Sequence, residues 1–143
     1  MNKKCIRPIA ICLFRHGDKI LVADYPDTIK QDFFCRPLGG EIEFGEHSRD
    51  AIIREIKEEL NAAITQVSLV GVLENRFIYE GWPGHEIVFV YDAQFLDKTL
   101  YQQKTLRGYE HGVGLHFQAE WRSLAEIEQS EVRLVPEALS TLL

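Results

Sequence analysis

Cysteine is scarce in this sequence, and so are long apolar runs, surplus positive charge and repeated segments. The three cysteines, Cys5, Cys12 and Cys35, are odd in number and lack C-x-x-C spacing, so neither a disulfide framework nor a thiolate zinc site is indicated. They read as buried reduced thiols. No stretch is long and apolar enough to span a bilayer. Lys3 and Lys4 precede an apolar run, but Arg7 and Pro8 interrupt it and Arg15 ends it too early for a secretory signal, so the expected location is cytoplasmic. The formal net charge of −6 offers no general attraction for nucleic acid or an anionic membrane and argues against both as partners. A polyphosphate would have to be met by local cations or by metal. With 143 residues, 45% of them hydrophobic, and no linker or low-complexity tract, the chain reads as one domain over residues 1–143 with a real core.

What is present is an acid-rich helix behind a glycine turn. Ser48 is the expected N-cap, Asp50 sits in the first turn, and the pattern predicts a helix over Arg49–Leu60 closed by Asn61, a residue that tolerates the left-handed conformation. At about 100° per residue, Ile52, Ile53, Ile56 and Leu60 share one arc, with Glu55, Glu58 and Glu59 on the arc beside it. Glu55 meets Glu58 at i+3 and Glu59 at i+4, and each like-charge pair costs roughly 0.2–0.5 kcal/mol in an isolated helix. A cation would remove that penalty. Mg²⁺ takes oxygen ligands and usually keeps waters or phosphate oxygens among its six, so carboxylates on adjacent turns can hold it open to substrate. Taken by itself, the helix favours the plainer reading of a solvated face with Arg54 and Glu58 as an ordinary i,i+4 pair.

The spacing separates the two readings. Gly40, then Glu46, then Arg54-Glu55-Ile56, then Glu58-Glu59, resembles the Nudix box, the signature of the Nudix hydrolase family. The pattern departs at the helix end, where Asn61 stands in place of the usual Gly and Ala62 in place of a larger aliphatic, and at Leu38, where a Pro often precedes the glycine pair. The resemblance implies an α/β fold, an α/β/α sandwich with a mixed sheet. It implies a metal, Mg²⁺ or Mn²⁺, held by Glu55, Glu58 and Glu59 with the backbone of Gly40. Arg54 would orient a box carboxylate, and Glu46 would be its ion-pair partner.

Along the chain, Ile9–Phe14 and Ile20–Ala23 carry a hairpin signal across His16-Gly17-Asp18-Lys19. Asp24–Asp32, with Pro26, reads as a loop, and Phe33–Cys35 as a return to the core. Val67–Tyr79 and His85–Phe95 form a long hairpin turning at Glu80–Gly84. Asp97–Gly114 is polar and reads as a solvated loop or a lid beside the site. Leu115–Trp121 is the expected last strand. Ser123 and Glu126 have capping-box spacing for a short helix, and Pro136 suits the first position of a C-terminal one.

Hydrolysing a pyrophosphate needs an oriented water, a base for its proton, and positive charge on the phosphates. The resemblance implies that reaction on a nucleoside di- or triphosphate derivative: a nucleoside triphosphate, an oxidised purine nucleotide, or a nucleotide sugar such as ADP-ribose. Glu55, Glu110 and Glu120 are all open as the base or an extra metal ligand. Arg36, Phe77, Tyr79 and Trp82 are candidates for holding the substrate, the aromatics by stacking a base. The alternative is a non-catalytic Nudix-like module that senses a nucleotide or binds a partner; such modules usually lose box acids, which this chain retains. A prenyl diphosphate isomerase has no feature in its favour. A homodimer is open, and the sequence does not choose.

Overall fold

Alternating apolar residues in Arg7–Leu13 (β1) put Ile9, Ile11 and Leu13 on one side and Ala10 and Cys12 on the other, and both rows are buried in the computed structural model, which describes residues 4–143. Lys3 of the N-terminal pattern lies outside the described residues. The further strands are β2 (Arg15–His16), β3 (Lys19–Asp27), β4 (Asp32–Arg36), β5 (Leu38–Glu41), β6 (Ile64–Tyr79), β7 (Trp82–Phe95), β8 (Thr105–Glu110), β9 (Leu115–Ser123) and β10 (Val132–Leu134). Two helices join them, α1 (Ser48–Leu60) and α2 (Leu124–Gln129).

One sheet has the order β5-β1-β7-β6, and the other runs β10-β4-β3-β9-β8 with β2 paired to β3. Both are mixed, with β1 parallel to β7 and β10 parallel to β4. Ala51, Ile52 and Ile56 of α1 pack with Ala10, Cys12, Leu21, Ala23, Ala119 and Trp121. Ile127 of α2 covers Ile20, Val22 and Cys35, and Leu139 in a C-terminal 3₁₀ turn (Glu137–Leu142) covers Ile9, Ile11 and Val90. Helical layers on either side of mixed sheets are the expected α/β class.

Several local expectations are corrected. β1 and β3 form no hairpin with each other. They belong to different sheets, because Phe14 turns inward to stack on Phe95 at 3.9 Å and carries the chain across. The tight turn lies instead between β2 and β3. The loop expected over Asp24–Asp32 shrinks to residues 28–31. Pro26 is tolerated in β3 because β9 pairs only with Lys19–Ala23, leaving the proline's donorless side without a ladder. Cys35 is buried, but Phe33 is 54% exposed, and Cys5 is exposed rather than buried.

Asp97–Gly114 is mostly regular. Asp97 caps a 3₁₀ turn over Lys98–Gln102, and β8 pairs fully with β9, leaving a short turn from His111 to Gly114. Gly108 makes that pairing possible, since a Cβ there would lie 2.2 Å from the Phe117 ring. The long hairpin turns at Glu80-Gly81 alone. β9 is not the last strand, as β10 follows the expected α2, whose capping box joins Ser123 and Glu126. Pro136 precedes the C-terminal 3₁₀ turn rather than starting it. No described helix is long and apolar enough to cross a membrane.

Candidate active site

The site starts from the two ends of α1. Its N-cap is His47, with extended backbone and no side-chain cap, because the expected cap Ser48 is already helical and its hydroxyl pairs with the Tyr91 hydroxyl at 2.5 Å. At the other end Asn61 adopts the left-handed conformation (φ 52°, ψ 39°) and its N–H donates to the Lys57 carbonyl at 2.9 Å, so the helix closes cleanly without glycine. Between them Glu55, Glu58 and Glu59 face a cavity of about 740 Å³ shared with Gly39, Gly40, Arg36, Arg54 and Glu110.

Arg54 organises these acids. Its Nε and Nη2 donate to the two Glu46 oxygens at 2.8 and 2.9 Å, and its Nη2 donates to the Glu41 carbonyl at 3.0 Å. Its Nη1 reaches Glu55 at 3.0 Å and Glu58 at 3.4 Å. Glu46 also accepts from the Glu43 N–H at 3.1 Å, which closes the turn after β5 onto the helix. The Arg54 guanidinium holds the Glu46 carboxyl below the usual carboxylate range.

Glu59 has the opposite environment. It is 5% exposed, its Oε1 has no hydrogen-bond partner, and burial pushes its carboxyl up to about 9, with the charges of Glu110 and Glu55 adding to the effect. Burial also raises Glu55, which Arg54 partly offsets. The sequence places Glu59 on the acidic arc beside the apolar one; in the fold α1 packs against β8 and Glu59 is buried, while Glu58 on the same arc stays exposed.

Gly40 lies directly against this acid pair. A Cβ on it would stand 2.4 Å from the Glu55 carboxyl carbon, so only glycine lets the β5 backbone and the carboxylate share that space. Among the described residues no three His, Cys, Asp or Glu side chains form a ready-made metal cage, since Arg54 draws Glu55 and Glu58 toward itself. The donor set still suits a hard divalent cation: carboxylate oxygens, a bare backbone and a partnerless buried Glu59 oxygen around one opening.

Strand alternation decides between the two loop acids. Glu110 shares its face of β8 with buried Leu106, which is the α1 side, and lines the cavity. Glu120 alternates with buried Ala119 and Trp121, so it points away and is held by Arg122 at 2.9 Å, which also binds Asp24. Arg36 lies at the boundary with a second cavity of about 690 Å³, where the sheets splay apart; Phe77, Tyr79, Tyr25 and Phe34 line it. Arg36 sits 5.0 Å from the Tyr25 ring centre. Trp82, 58% exposed at the hairpin turn, lines neither cavity. Sequence reasoning missed Arg7, Tyr25, Phe34 and His111. His111 Nε2 lies 2.9 Å from the Glu58 carbonyl and ties the β8–β9 turn to α1. Only its place beside Glu110 among glycines hinted at this.

Comparison with known proteins agrees with the geometry. Among curated proteins, the NAD-capped RNA hydrolases NudC of Pseudomonas putida and Pseudomonas fluorescens are each 28% identical, over 68% and 69% of this chain. The match covers 33% of each relative, so the chain spans about a third of their length. Among solved structures, a MutT NUDIX hydrolase from Burkholderia pseudomallei superposes with a TM-score of 0.67 at 20% identity, covering 97% of both chains. The E. coli ORF135 protein gives 0.60 at 24%, covering 96% of this chain and 86% of that one. At those identities the likeness is one of fold. The family model described as NUDIX domain matches residues 6–140, and the chain belongs to that family.

Proposed function

We propose that this protein is a divalent-metal-dependent hydrolase that cleaves a pyrophosphate linkage in a nucleoside di- or triphosphate derivative. The observation that carries the reading is the convergence of Glu55, Glu58, Glu59 and the Gly40 backbone on one opening, with a buried Glu59 oxygen left without a partner. Mg²⁺ or Mn²⁺ bound there supplies positive charge against the transferring and leaving phosphates and acidifies the attacking water. Arg54 fixes the direction of Glu55 and Glu58, and Glu46 fixes Arg54. Water adds to phosphorus, the bridging P–O bond breaks, and the water's proton passes to a carboxylate. Glu55 and Glu110 both reach the cavity for that role, whereas Glu120 is committed to Arg122. Arg36 faces the diphosphate from the entrance of the second cavity, whose aromatic rings suit a base.

The cytoplasm suits a chain with three free thiols. The test is a panel of nucleoside triphosphates, oxidised purine nucleotides, ADP-ribose and an NAD-capped RNA, with and without Mg²⁺ or Mn²⁺, and with products identified. The capped RNA is included because two relatives carry that name. Metal-dependent release of phosphate, diphosphate or a nucleoside monophosphate is expected. Nucleotide binding with no product from any substrate would instead favour a sensing module.

A further inference from the structure

The unused group of this fold is a carboxylate sealed into the second cavity. Glu86 of β7 is only 5% exposed, yet it lines that space between the splayed sheets. Strand register puts it there. Arg7 of β1, Glu86, and Asn75 of β6 are direct neighbours across three strands, and the next row on the same face is Ile9, Val88 and Leu73, which cluster with Leu139. On the other side the ring of Phe77 lies across Gly84, where a Cβ would stand 2.3 Å from it. One polar row therefore crosses an apolar floor. A buried carboxylate is costly unless its oxygens are well bonded, and those of Glu86 are not. Its Oε1 is 3.5 Å from Asn75 Nδ2 and its Oε2 is 3.6 Å from Arg7 Nη1, where a good charge-assisted bond measures about 2.7–2.9 Å. Arg7 does not close the gap, because its Nη2 is drawn to Glu41 at 3.3 Å. Both oxygens keep the capacity to accept from a ligand in the cavity.

We infer that Glu86 selects the base of the substrate, and that this base is guanine. The inference rests on the reading of the second cavity as the seat of a nucleotide base. Guanine alone among the common bases carries two adjacent N–H donors on its pairing edge, N1–H and the 2-amino group, which meet both oxygens of one carboxylate as a bidentate pair. Its O6 is next in line. Along the row, Arg7 Nη1, Glu86 Oε2 and Glu86 Oε1 read donor, acceptor, acceptor, the complement of guanine's acceptor, donor, donor. Adenine and cytosine place a ring-nitrogen acceptor beside their amino group, and uracil flanks its one N–H with two carbonyls. Each would set a lone pair against a buried carboxylate oxygen, and a site built to bond N–H groups rejects a ligand that leaves its own polar atoms unpaired. The Phe77 ring beside the row supplies a surface for the base to stack on.

Nucleoside monophosphates have no pyrophosphate linkage, so calorimetry or ligand-observed NMR with GMP, IMP, AMP and CMP reads the base site independently of hydrolysis. GMP should bind best. IMP, which keeps N1–H and lacks the 2-amino group, should bind about tenfold more weakly, and AMP and CMP more weakly still. Glu86→Gln presents one acceptor and one donor, the complement of the adenine amino group and N1, so its order should reverse, with AMP above GMP. Misfolding cannot produce a gain for AMP. The same reversal should appear in kcat/KM for ATP and GTP with Mg²⁺. Equal binding of GMP and IMP by the wild type, no GMP binding at millimolar concentration, or a folded Glu86→Gln variant that keeps the wild-type order overturns the inference. Metal-dependent hydrolysis with no preference for guanine leaves the proposed reaction standing and overturns this assignment, whereas guanine selection with no product does the reverse.

Discussion

Gly40→Ala separates the site from the fold at a single methyl group. The new Cβ would lie 2.4 Å from the Glu55 carboxyl carbon, where an ordinary contact starts at 3.4 Å, so the carboxylate must retreat by 3.4 − 2.4 = 1.0 Å. It cannot retreat freely, because Arg54 holds it at 3.0 Å while Glu46 holds Arg54 at 2.8 and 2.9 Å. A misplacement of about 1 Å in a positioned group costs on the order of 10²-fold in rate, or about 2.7 kcal/mol of transition-state stabilisation. The fold should hardly notice, since the obstructed atoms are the end of one side chain and Gly40 has no positive φ. Gly39→Ala is the control with the opposite outcome. Its Cβ would fall 1.9 Å from the Ala10 carbonyl oxygen and 2.7 Å from the Ile11 Cα, which is β1 backbone, and overpacking of that kind costs about 1–3 kcal/mol or more of stability. Steady-state kinetics on the preferred substrate, alongside melting curves, should give Gly40→Ala a wild-type Tm with kcat/KM down about a hundredfold. Retained activity in Gly40→Ala, or a Tm loss matching that of Gly39→Ala, would refute the assignment of Gly40 to the site.

Glu59→Gln should abolish most turnover without lowering Tm. The Glu59 carboxyl is near 4.5 when unfolded and about 9 when folded, so folding of the metal-free protein takes up a proton between those values and stability should fall as pH rises across the window. Glu59→Gln should flatten that slope, measured by denaturant titration in chelator. Asp27 behaves in the reverse sense. Its carboxylate accepts from the N–H groups of Ile29, Lys30 and Glu80 at 3.1, 3.0 and 3.3 Å, and those bonds hold it below the usual range. Its contribution is present above its unfolded value of 3.8 and is lost as pH falls through the lower folded one, so Asp27→Asn should lower Tm near pH 7 and converge on wild type in strong acid. Arg36→Ala should weaken substrate binding or turnover at least tenfold, whereas Trp82→Ala should leave the kinetics unchanged. A kinetic defect in Trp82→Ala would show that substrate reaches the hairpin turn.

The acid face of α1 was legible because helical periodicity needs no knowledge of what packs against it. Glu55, Glu58 and Glu59 fall on one arc whatever the tertiary structure, and the distances to Gly40, Glu46 and Arg54 are fixed by a turn and a helix that lie next to each other in the chain. The depth at which each acid sits was not legible. Glu58 and Glu59 are adjacent in sequence, yet Glu59 is buried under β8, a strand that begins well over forty residues later. Nothing local distinguishes them.

The same limit explains the misread segments, and Glu110 and Glu120 show it most directly. Both were candidates because both are acids beyond the box, Glu110 in the polar stretch and Glu120 in the expected last strand. Period-two alternation would have separated them, but only once β8 and β9 were known to be paired strands with Leu106 opposite Ala119. That pairing depends on Gly108 accommodating the ring of Phe117, a contact between residues of unremarkable local propensity. The hairpin wrongly expected between β1 and β3 failed likewise, since one stacked pair, Phe14 on Phe95, sends the two strands into different sheets. Local sequence fixes which residues can share a face, and long-range contacts decide which face meets the chemistry. In this chain the acids proposed to face the metal depend on the first, while the proposed base and substrate contacts depend on the second.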